Sequence, residues 1–89
     1  MSIERNREQV ARGEEAARVL NSPLLKEFFA DMRSDCVRNW EHSAIDDVAT
    51  REDAWKMHKA VSLLEQKLKT AIANGEHARK ELLKEEKEK

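Results

Sequence analysis

Cys36, His42, His58 and His77 are the residues of this chain whose types could hold a metal or supply a nucleophile and base. Zinc sites are normally built from Cys and His pairs at short spacing, such as two histidines four apart on a helix. Here the histidines follow one another at sixteen and nineteen residues, and Cys36 precedes His42 by six. Only a folded-up set of Cys36, His42 and His58 would gather three ligands, and the spacing favours ordinary surface histidines. Nucleophilic catalysis would ask for Cys36 or a serine beside a histidine, with a carboxylate to orient it. The chain has no Gly-rich phosphate loop and no catalytic motif. Cys36 stands among apolar residues at helical spacing, where a lone cysteine reads as a small buried hydrophobe. The expectation is a non-enzymatic protein with no metal and no cofactor.

A second candidate chemistry is cationic. Arg51, Lys56, Lys59, Lys67 and Lys69 make one stretch positive, with four lysines against one glutamate between Ala54 and Gly75 and Trp55 near its start. A helix laid on nucleic-acid phosphates would carry such a pattern. The competing reading is a solvated face opposed by acidic residues of the preceding helix and linker. The whole chain has 17 basic and 18 acidic residues, a net charge of −1. Phosphate neutralisation needs a net basic surface, so nucleic acid is the alternative partner and not the favoured one.

The third pattern is the longest. Met57, Val61, Leu64, Leu68, Ala71, Gly75, Ala78 and Leu82 are separated by alternating steps of four and three, and Ile72 lies beside them. That spacing puts a narrow apolar stripe on one long helix, which must be covered by another helix of the chain or by another copy.

These stripes need elements to carry them. The first segment, 3–20, reads as a helix whose weak stripe is Ile3, Val10, Gly13, Ala17 and Leu20. Gly13 costs about 1 kcal/mol against alanine in a helix interior, unless small residues there let another helix come close. Asn21-Ser22-Pro23 ends that helix and caps the next, with proline at the first position, where its missing N–H is harmless. The second helix is expected over 23–42, with Leu25, Phe28, Phe29, Met32, Cys36 and Trp40 on its apolar face. Residues 43–49 break the pattern. Thr50-Arg51-Glu52-Asp53 resembles a capping box, so the third helix is placed at 51–82. At Asn74-Gly75, the usual C-terminal signal, it either ends and restarts or passes through with a weak point, and the continuing stripe favours passage. The fold class is all-α: an antiparallel helical hairpin with an N-terminal helical arm. Residues 1–83 form one domain and 84–89 a charged tail.

Length bounds the core. Eighty-nine residues form one domain at most, and a chain this short buries only about 60–65% of its unfolded surface. Eleven of its apolar residues are alanines. The second helix spans about 30 Å and the third about 48 Å. The last stretch of stripe, with Ala71, Ile72, Ala78, Leu82 and Leu83, therefore outlasts the second helix. A second copy is the favoured cover, and the N-terminal arm is its competitor. MSIERNREQ has no apolar core of a signal peptide, and no run approaches the ~20 apolar residues of a membrane span. The expected compartment is the cytoplasm, with no membrane partner.

Taken whole, the chain resembles small helical proteins encoded among phage and prophage genes. The likeness is carried by AARVLNSPLLKEFFADMR, a Trp-bearing helix end, and REDAWKMHKAVSLLEQKLKTAIANGE, over roughly residues 14–78. It implies a virion-assembly, head-completion or DNA-packaging accessory role, acting in the host cytoplasm or the virion; the uncovered stripe adds the expectation of helix–helix contacts and a homo-oligomer. The resemblance supplies no functional residues. The alternative is a small nucleic-acid-binding or regulatory protein, or an inhibitor of a host enzyme, using the Lys-rich third helix.

Overall fold

The structure is a computed structural model that describes residues 3–88. It is all-α, with α1 (Ile3–Leu20), α2 (Pro23–His42) and α3 (Val48–Glu88) and no strand among the described residues. The break between α1 and α2 is the expected one. Asn21 N–H still donates to Ala17 O, Ser22 Oγ accepts from Leu25 N–H at 3.4 Å, and Pro23 opens the new helix. At the far end, Ser43 Oγ donates to Trp40 O at 2.7 Å and closes α2.

The start of α3 corrects the capping box. Asp47, not Thr50, is the cap: its carboxylate accepts from Thr50 N–H at 3.1 Å and from Thr50 Oγ1 at 2.6 Å. An aspartate three residues before a threonine does this as well as the motif read one turn later, and it satisfies a free N–H at the positive helix end. Arg51 lies inside the helix and donates to Ala44 O at 2.6 Å and Ile45 O at 2.8 Å, holding the linker against the helix start. The helix runs without interruption through Gly75 and takes in most of the segment expected as a tail, ending at Glu88.

α1 and α2 follow one another along α3, and both run antiparallel to it. Gly13 sits on Gly75, Leu20 shares a groove with Glu65 and Lys69, and Cys36 shares one with Ala54. α1 and α2 scarcely touch each other. The molecule is thus a two-helix hairpin with one strut broken at Ser22-Pro23, measuring 66 × 25 × 14 Å. Its radius of gyration is 19.0 Å, against about 12 Å for a compact domain of this length.

This topology corrects three expectations. First, α1 is no free arm. It covers the C-terminal half of α3, so the stretch carrying Ala71, Ile72, Ala78 and Leu82 is satisfied within the chain. Second, the hairpin reading seats the apolar face of α2 against Val61, Leu64, Leu68 and Ile72, whereas α2 packs between Ala54 and Lys69, short of Ile72. Third, the seam is made of small residues. On α3, Ala54, Val61, Gly75 and Ala78 are buried; facing them are Asn6, Gly13 and Ala16 of α1, and Phe29 and Cys36 of α2. Leu68, Ala71, Ile72 and Leu82 are half-buried. Met57 and Leu64 of the stripe, and Phe28, Met32 and Trp40 of the expected core, stay exposed. A contact between two helices covers only a strip of each, and residues 60–100° off that strip remain in water.

Candidate interaction face

The exposed residues fall into an order of their own. Phe28 and Met32 are four apart on α2, and Met57 and Leu64 are seven apart on α3, so each pair shares a side of its helix. Met32 and Met57 line one open groove of about 410 Å³ between α2 and α3, with Cys36 and Ala54 also in its wall. The four large side chains therefore lie on one flat face of the hairpin. They are 50%, 40%, 49% and 50% exposed, in the order Phe28, Met32, Met57, Leu64. On α3 this second stripe reads Asp53, Met57, Ala60, Leu64, Lys67, again in steps of four and three. It runs beside the seam, one residue out of step with it.

The opposite face is polar where α2 crosses α3. Arg33 reaches Glu65 at 2.9 Å, and Lys69 approaches the same carboxylate at 3.3 Å. Hydrogen bonds from Arg33 and Lys69 hold the Glu65 carboxyl below its ordinary value of 4.5. Asp47 is likewise held below 3.8, by the Thr50 hydroxyl first, then by its N–H and the nearby Arg51 charge. The Arg33 guanidinium also lies 5.9 Å from the Phe29 ring centre.

The histidines and the cysteine are not brought together. His42 and His58 line a groove with Arg33, Val37 and Glu41, whereas Cys36 opens to the groove on the other side and His77 is exposed far along α3. Among the described residues, no group of three or more His, Cys, Asp or Glu is placed to hold a metal ion. The five cations do not share a patch either. Arg51 is spent on linker carbonyls, Lys69 on Glu65, and Lys59 lies 5.5 Å from the Trp55 ring centre. Lys56 and Lys67 remain exposed, and the five fan across about half the circumference of α3.

Sequence reasoning did not separate the two neighbouring stripes. The periodicity puts Phe28 and Met32 in the core and Met57 and Leu64 in the seam, and it gives Asp53 a part only in a helix cap. The available signal was Gly13 and Gly75, since paired small residues mark where two helices come close.

No family model, no curated protein and no solved structure matches the chain. No helix among the described residues is long and apolar enough to cross a membrane.

Proposed function

We propose that this protein is a non-enzymatic assembly protein that works through helix–helix contacts, made by the face that carries Phe28, Met32, Met57 and Leu64. The single observation behind the reading is that face itself. The buried seam is filled by Gly, Ala, Val, Cys, Asn6 and one Phe, and of the large apolar side chains left exposed these four lie together on one face, half in water. A contiguous apolar surface with a polar rim is the usual mark of a binding surface. The setting, virion assembly or DNA packaging in a host cytoplasm, rests on the resemblance to phage-encoded helical proteins.

The test uses the native source. Size-exclusion chromatography of its lysate, with the protein followed by an antibody, is expected to place it well above its 10.3 kDa mass. Met57→Glu combined with Leu64→Glu is expected to move it to the free position while its helical circular dichroism is kept. Elution of the unmutated protein as a free chain would overturn the reading.

A further inference from the structure

We infer that the occupant of this face is a second copy of the chain, docked antiparallel about a two-fold axis passing near Ala60. The inference rests on the reading of the face as a binding surface and adds the identity of its partner. A two-fold interface requires a patch to be complementary to its own reversal. The exposed stripe of α3 has that property. Reversed about Ala60, Asp53 falls on Lys67, and Met57 falls on Leu63, one residue from Leu64. Asp53 and Lys67 are both exposed and stand about 21 Å apart along the helix, so the two apolar residues sit between two opposite charges. One copy turned end for end places each acidic end over a basic end and apolar side chains over apolar side chains.

The other charged residues that line the two grooves leave this polarity in place. Asp35 shares the groove of Asp53, but its carboxylate is already met by Arg38 at 3.2 Å, so it adds little. At the other end, Arg12 lies in one groove with Lys67, and Glu15 there offsets one of the two charges, leaving that end positive. Like charges would meet in a parallel arrangement, which this pattern disfavours.

Area points the same way. The chain exposes 7097 Å², whereas a compact monomer of 10.3 kDa would expose about 5,400 Å². The surplus of about 1,700 Å² is roughly twice the ~800 Å² that each partner contributes to a standard interface. Two slabs, each two helices thick, stacked on their apolar faces give a four-helix cross-section, the arrangement that encloses a core between antiparallel helices.

The experiment is sedimentation of the purified full-length chain from micromolar to hundreds of micromolar, at low ionic strength because exposed ion pairs are screened by salt. The unmutated chain is expected to approach twice 10.3 kDa. Asp53→Lys alone, or Lys67→Glu alone, turns two symmetry-related attractions into repulsions and is expected to weaken the dimer about tenfold or more. The two together restore opposite charges in exchanged places, and the affinity is expected to return close to the starting value. All three variants change exposed helical residues, and circular dichroism checks that each is folded. A monomer at every concentration, or a double variant as weak as the weaker single one, would overturn the inference. A purified monomer that nevertheless travels in a large complex in the native lysate would overturn the second copy alone and leave the binding face standing, with a different protein as its partner.

Discussion

Gly13→Ala carries the sharpest test of the packing, because two effects of similar size oppose each other. Glycine inside a helix is worse than alanine by about 1 kcal/mol. If α1 were a solvated arm, the substitution would therefore raise the melting temperature. In the hairpin, a Cβ on Gly13 would lie 2.9 Å from Gly75 Cα and 3.0 Å from Ala71 O, both backbone atoms that no rotamer change can move. α1 must then lift off α3. A gap of even 0.5–1 Å forfeits about a quarter to a half of each dispersion contact, and overpacking of a tight site costs about 1–3 kcal/mol. The net expectation is a loss of about 1 kcal/mol, which is about 4–8 °C in melting temperature for a domain of this size. Thermal unfolding followed by circular dichroism reads the sign directly. Asn74→Ala, at the exposed neighbour of Gly75, serves as the control and is expected to leave the melting temperature unchanged or raise it. Amide exchange should accelerate more over 3–20 than over 23–42, since α1 alone is displaced. A rise in melting temperature for Gly13→Ala would refute the close crossing and with it the seating of α1 on α3.

Phe29→Ala is expected to destabilise by about 3–5 kcal/mol, enough to unfold a chain this small, because Phe29 is the one large aromatic in the seam. Phe28→Ala, at a half-exposed position, should cost the isolated chain less than about 1 kcal/mol, and equal losses in chemical denaturation would mean that α2 is turned on α3. Acid should unfold the protein partly through Asp47 and Glu65. Their carboxyls are held low in the folded chain, so their contribution is present above their ordinary values of 3.8 and 4.5 and is lost as pH falls through the lower folded values. Asp47→Asn with Glu65→Gln should flatten the acid limb of a stability–pH profile; an unchanged limb would show that neither carboxylate is held in the folded state.

Much of the architecture was legible in the residues. Asn21-Ser22-Pro23 located the break between α1 and α2, and the break after His42 was marked by the loss of helical spacing. The heptad run from Val61 to Leu82 marked a long helix that needs a cover, and its continuation past Asn74 favoured passage through Gly75 over a break there without deciding between them. These features are local: capping, proline geometry and helical periodicity act within a turn or two of chain. The cap at Asp47 was equally local but competed with a better-known motif three residues later.

What covers α3, and with which residues, belonged to the tertiary structure. Periodicity shows that Met57, Val61, Leu64 and Leu68 lie within one arc of a helix, but a two-helix contact buries only part of that arc. The choice is made by the distance between the backbones, which the side chains at the contact set. Gly13 against Gly75, with Ala16, Ala54 and Ala78 along the same line, draws the helices close together. The large side chains Phe28, Met32, Met57 and Leu64 lie off the line of contact and are left on the flank. Neither half of that glycine contact is visible from its own helix, because it joins residues sixty-two positions apart. Helices and their apolar arcs follow from local residue pattern; the seating of α1 and α2 along α3, which joins residues far apart in the chain, selects the part of each arc that is buried.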